Sequence, residues 1–167
     1  MAFEDLGSSR SSPSSNSNRA TPFSAATLDN RGMIRPCFLV IDRETSSAIS
    51  TRKLVIETAK FNVITAYSST EALQLLKKFP MLDGVVLDSG MEDMPCDSLT
   101  AALKTVRPDI PVIVVCVPGG TPCDHADYTL ESFDPRKLLA LLERLQPEAT
   151  AEIEKRNESL HEEYLSR

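Results

Sequence analysis

Three side chains able to do chemistry stand at the ends of short apolar runs. Phe38-Leu39-Val40-Ile41 ends in Asp42, Gly84-Val85-Val86-Leu87 in Asp88, and Val112 to Val115 in Cys116. Each run reads as a strand buried on both faces, because it is apolar throughout instead of alternating. A polar group directly after such a strand is delivered to the loop at its carboxyl end, where parallel sheets collect their ligands. Asp42, Asp88 and Cys116 are therefore expected to converge on one cleft. The remaining thiols and His125 do not make a metal site by spacing. Cys116, Cys123 and His125, with Cys96 on a nearby loop, lack the paired CxxC pattern of zinc ligands and read as buried or loop thiols.

The elements that must position these groups alternate along the chain. After Asp42, Thr45 or Ser46 can cap a helix whose apolar face is Ala48, Val55, Ile56 and Ala59. Val63 to Ala66 is a second strand, and Ser68-Ser69-Thr70-Glu71 has capping-box spacing ahead of Ala72, Leu76 and Phe79. Leu99, Ala102, Leu103 and Val106 make a third helix, stopped at Arg107-Pro108. Tyr128 to Leu130 is a fifth strand, and Asp134-Pro135 opens a last helix carrying Leu138, Leu142 and Leu145. Strands alternating with helices imply right-handed crossovers and an α/β, doubly wound, five-stranded parallel sheet of flavodoxin-like topology. The connection from Cys116 to Tyr128 is an exception. It is too short for a helix and two loops, and Pro118-Gly119-Gly120-Thr121-Pro122 is turn chemistry.

Flanking segments differ from this core. Residues 1–33 are rich in Ser, Asn, Arg and Pro and are expected to be a disordered tail; Glu4 and Asp5 argue against a plastid-type transit peptide. The domain is expected over residues 36–146, and residues 147–167 read as a charged helical extension. Its stripe of Ile153, Asn157, Leu160 and Tyr164 either packs on the body or pairs two copies as a short coiled coil with Asn157 as register residue, giving a homodimer. A net charge of -6 over 167 residues leaves no basic footprint for nucleic acid or anionic membrane. No apolar run is long enough to span a bilayer, so a cytoplasmic protein with reduced cysteines and protein partners is expected.

Between residues 36 and 146 the chain resembles the receiver domain of two-component response regulators, the CheY-like superfamily. Phe38-Leu39-Val40-Ile41-Asp42 is similar to that family's first strand, with Arg43 where a second metal-site acid belongs. Val85-Val86-Leu87-Asp88-Ser89-Gly90-Met91 is similar to the phospho-acceptor strand and loop, with Glu92 where proline is usual. Pro111 to Cys116 is similar to the fourth strand, with Cys116 in place of the switch Thr or Ser. Tyr128-Thr129-Leu130-Glu131-Ser132-Phe133 is similar to the fifth strand and its turn, with Glu131 in place of the lysine and Ser132 in place of proline.

The resemblance implies a non-enzymatic signalling module in a phosphorelay. Asp88 would be the phospho-acceptor, served by a histidine kinase or phosphotransfer protein and read by a downstream effector. It also implies Mg²⁺ held by Asp42, Asp88 and the Gly90 backbone carbonyl, weakly here because Arg43 competes for the space. Glu131 would meet an acyl phosphate with like charge, so phosphorylation is expected to be slow or absent. The two reversed charges, read as lying on neighbouring strand ends of one cleft, suggest a bridge from Arg43 to Glu131, or from Arg43 to Asp88, that locks one conformation without phosphate. Plainer readings are two independent substitutions and an inert strand-end Asp88. A phosphorylation-independent pseudo-receiver is the resulting expectation. The alternative is a flavodoxin-like cofactor-binding module, with Thr45-Ser46-Ser47 cradling phosphate at a helix N-terminus; the lack of glycine there and the nearby Asp42 and Glu44 weigh against it.

Overall fold

A computed structural model describes residues 32, 34–43, 49–120 and 122–167. The elements are β1 (Cys37–Ile41), α1 (Thr51–Thr58), β2 (Asn62–Ala66), α2 (Ser69–Lys78), β3 (Gly84–Asp88), α3 (Cys96–Val106), β4 (Val112–Val115), β5 (Tyr128–Leu130), α4 (Pro135–Leu145) and α5 (Pro147–Leu165). The strands form one parallel sheet in the order β2-β1-β3-β4-β5. Because the chain winds from β1 out to β2 and then back to β3 on the other side, the winding reverses between β1 and β3, and that gap is where such folds place a site. Ile41 pairs with Leu87 in register, so the residues that follow, Asp42 and Asp88, come out side by side.

Strand alternation divides the core in two. Leu39, Ile41, Val85, Leu87, Val112 and Val114 face α2 and α3, where Ala72, Leu76, Leu99 and Leu103 cover them. Phe38, Val40, Val86, Ile113 and Val115 face the other way, under Val55 and Ile56 of α1, Leu138 and Leu142 of α4, and Ile153 of α5. Residues one apart thus serve opposite faces, which is why these strands had to be apolar throughout. The helices start where side chains satisfy their free amides. Ser68 Oγ accepts from the Glu71 amide at 3.1 Å, and Asp134 Oδ1 accepts from those of Arg136 at 2.9 Å and Lys137 at 3.4 Å.

Two departures from the sequence reading bear on the site. The first helix does not begin behind Thr45 or Ser46, which lie outside the described residues. It begins at Thr51, capped by Ser50, whose Oγ accepts from the Lys53 amide at 3.3 Å. Ile49, 76% exposed, has not yet joined the packed face. Among the described residues the buried stripe is Arg52, Val55 and Ile56, with Ala59 packed beside it; Ala48 lies outside the described residues. The other departure concerns the reversed charges. Arg43 follows β1 and Glu131 follows β5, and β3 and β4 lie between them, so their strand ends are not neighbours. Between β4 and β5 none of the described residues is helical, as expected for the missing fourth helix. A turn with Gly119 at φ +76° and a Gly120 amide to Val117 carbonyl bond of 2.9 Å stands there instead. The tail expected over residues 1–33 lies outside the described residues, Gly32 apart.

Candidate functional site

Asp42 and Asp88 are both buried, and a third buried side chain lies between them. Arg52, in the first turn of α1, places Nη2 3.0 Å from Asp88 Oδ2 and Nη1 3.4 Å from Asp42 Oδ2. Its side chain is 7% exposed. Its guanidinium carbon stands 5.6 Å from the centroid of the Phe133 ring, a cation–π distance. Ser50 Oγ donates to Asp42 Oδ2 at 2.7 Å, so the residue that caps α1 also fixes the carboxylate that Arg52 grips. The other oxygen of Asp88 accepts from the Gly90 amide at 2.7 Å. Both acceptor oxygens of Asp88 are thereby engaged. Arg43 adds its Nε 3.7 Å from Asp88 Oδ2, from a side chain that is 53% exposed.

Gly90 is where it is for want of space. A Cβ there would stand 2.8 Å from Val117 Cγ2, 3.1 Å from Asp88 Oδ1 and 3.3 Å from Arg43 Nη1. Val117 is itself drawn in, its amide donating to Ser89 Oγ at 2.9 Å. A recess of about 250 Å³ lined by Arg43, Tyr67, Ser68, Met91, Glu92 and Asp93 opens beside the acid pair. Its wall is held by Asp93, which accepts from Ser69 N and Oγ at 2.6 and 2.9 Å.

Comparison with known proteins fits this geometry into a fold. No family model matches the chain, and no curated protein matches it by sequence. Solved structures do. A response regulator receiver domain protein from Clostridium thermocellum superposes with a TM-score of 0.55 at 23% identity, covering 75% of this chain and 98% of that one. A CheY-like receiver domain protein from Methanospirillum hungatei gives 0.58 at 20%, covering 71% and 98%. The receiver domain of NtrC4 from Aquifex aeolicus gives 0.56 at 25%, covering 66% and 95%.

The chain has the receiver-domain fold.

Within that receiver fold, Asp42 and Asp88 come together as the sequence indicated, and Cys116 follows β4 at the same end of the sheet. Its amide donates to the Leu130 carbonyl at 2.8 Å. Burial pushes the Cys116 thiol up, with Cys123 and then Glu131 adding repulsion. Glu131 is exposed, and among the described residues no ion pair joins it to Arg43. Of the two bridges suggested for Arg43, the contact present is the one to Asp88.

Arg52 is the residue that sequence reasoning passed over. Its signal was nonetheless there: Arg52, Val55, Ile56 and Ala59 fall at i, i+3, i+4 and i+7, which puts a charge on the first turn of an apolar stripe. A permanent cation on a buried stripe needs a buried anion to meet it, and two strand-end carboxylates were already in hand. The same residue bears on Mg²⁺. The ion asks for oxygen ligands in near-octahedral array at about 2.1 Å, and the carboxylate oxygens that would supply them are held by the Arg52 guanidinium, the Ser50 hydroxyl and the Gly90 amide. The donor set as it stands does not fit Mg²⁺.

Proposed function

We propose that this chain is a receiver-like signalling module that works through protein contacts without being phosphorylated. The observation that carries the reading is Arg52 seated between Asp42 and Asp88, 3.0 Å from the carboxylate a receiver would phosphorylate. Phosphoryl transfer to a carboxylate depends on positive charge that can follow the phosphoryl oxygens as they move. Arg52 instead neutralises the acid pair from within and is committed to both members. The position of the family's phosphoryl-binding lysine carries an exposed acid, Glu131. A locked acid pair gives one fixed surface, and the partners that surface suits are proteins, whether the kinase or phosphotransfer protein of an ancestral relay or an effector. Two copies pairing through α5 have little to work with, because Ile153 is buried against the body and only Asn157, Leu160 and Tyr164 of the stripe remain exposed.

Incubation of the full chain with acetyl phosphate and Mg²⁺, followed by intact-mass analysis, tests the reading. No phosphoryl adduct is expected on the native protein. An adduct that disappears in Asp88→Asn would overturn the reading and make the chain a working receiver.

A further inference from the structure

Three of the four cysteines, which the acid site does not use, gather around the connection between β4 and β5. Cys96 opens α3 and is fully buried; Cys116 follows β4; Cys123 sits on the connection that stands in for the fourth helix. Cys123 Sγ lies 3.1 Å from Thr100 Oγ1, one turn along α3 from Cys96, and Cys123 packs against the buried cluster that contains Cys96. Cys116 packs against the same cluster. Cys37 is at the opposite end of the sheet, at the start of β1. The connection around Cys123 is tied to the body by bonds from Val117 to Ser89, from His125 to Asp97 through its amide at 3.0 Å and its Nδ1 at 2.6 Å, and between Asp127 and Val112.

We propose that Cys96 and Cys123 are a reversible redox pair, closed to a disulfide by a hydroperoxide, that pins this connection to α3. Cys123 Sγ, held on Thr100 one helical turn from Cys96, is placed to close on Cys96 at the disulfide length of about 2.0 Å when the connection shifts. The half-buried Cys123 meets the oxidant first. Its sulfur, as thiolate, attacks the peroxide O–O bond, takes one oxygen to become the sulfenic acid, and releases the alcohol, or water when hydrogen peroxide is used. The Cys96 sulfur then attacks that sulfur, and the hydroxyl leaves with the Cys96 proton as water. Two thiols have lost two electrons and the O–O bond has gained them. Burial holds Cys96 strongly toward the protonated thiol, so the second step is slow until the connection shifts. A dithiol reverses the bond by exchange. The proposal stands apart from the acid site and holds whether or not Asp88 accepts phosphate.

The test uses the full chain treated with hydrogen peroxide, with free thiols alkylated and peptides mapped by mass spectrometry. The expected result is loss of two of the four thiols, a Cys96–Cys123 linked peptide, recovery with dithiothreitol, and slowed amide exchange over residues 117–126 in the oxidised form. Cys123→Ser, at a half-buried position the core does not depend on, should abolish the linkage and the slowed exchange, and Cys116→Ser should leave both intact. Four free thiols after oxidation, a Cys116–Cys123 linked peptide, or Cys123 driven on to sulfinic acid without linkage would each overturn the proposal.

Discussion

Arg52 joins the two buried strand-end carboxylates of the site. Two buried carboxylates side by side repel. The guanidinium at 3.0 and 3.4 Å offsets that repulsion, and Ser50 and the Gly90 amide satisfy further lone pairs. Arg43, half out in solvent, contributes the small amount typical of an exposed pair, roughly 0 to 1 kcal/mol. Arg52→Met separates the two roles. It should cost about 3 to 5 kcal/mol without metal, since it takes the buried guanidinium away from two buried carboxylates, and millimolar Mg²⁺ should then raise the melting temperature of the variant but not that of the native chain. A variant as stable as the native protein and indifferent to Mg²⁺ would refute this account of the site. The acids were legible in the sequence because a strand end fixes where the next side chain goes. The arginine was not read, because a helical position reports its face only once the helix start is known, and the start was placed too early.

At the scale of elements, the strands were legible because burial on both faces leaves an unbroken apolar run, and the missing fourth helix because chain length alone forbids it. Lateral order was harder. Nothing local in Tyr128–Leu130 says that two strands separate it from β1, and the expected meeting of Arg43 with Glu131 failed for that reason. The opposite end of the sheet has its own electrostatics. The Cys37 amide donates to Asp83 Oδ2 at 2.8 Å, and the Cys37 thiol is pushed up from 9.0 to about 11 by burial, with the Asp83 carboxylate adding repulsion. The folded chain therefore holds this proton more tightly than the unfolded one. Its contribution is fully present below pH 9, declines as pH rises through 9, and is gone above about 11, a loss of about 2 to 3 kcal/mol. Cys96 and Cys116, also raised by burial, act in the same direction, so the contrast to measure is between the native chain and Cys37→Ala. Urea denaturation across pH 8 to 12, on the scale set by this thiol, should show a shallower alkaline decline for the variant. Parallel curves would remove Cys37 as a cause.

For the molecule as a whole, α5 is part packed and part exposed. The sequence marks a break at Pro147, where the charge pattern changes. The structure carries the packed core six residues further, to Ile153, 7% exposed and joined by Ala149 in the layer beneath α1 and α4. From Asn157 to Arg167 every residue is exposed, and the helix there rests on its own backbone bonds and on i,i+4 contacts such as Arg167 to Glu163 at 2.9 Å. Such a segment contributes little, since a helix of this length is marginal in water and an exposed pair adds only tenths of a kcal/mol. Ile153→Ala, by contrast, removes buried apolar surface where the body has no other side chain to fill it, and should cost about 2 kcal/mol or somewhat more. Deleting residues 157–167 should leave the urea midpoint within the small range typical of surface changes, about 0.5 kcal/mol, while lowering the helical circular dichroism signal. If the deletion instead costs as much as Ile153→Ala, the exposed half of α5 must be covered in solution. A midpoint that rises with protein concentration would then identify the cover as a second copy, because only association makes stability depend on concentration.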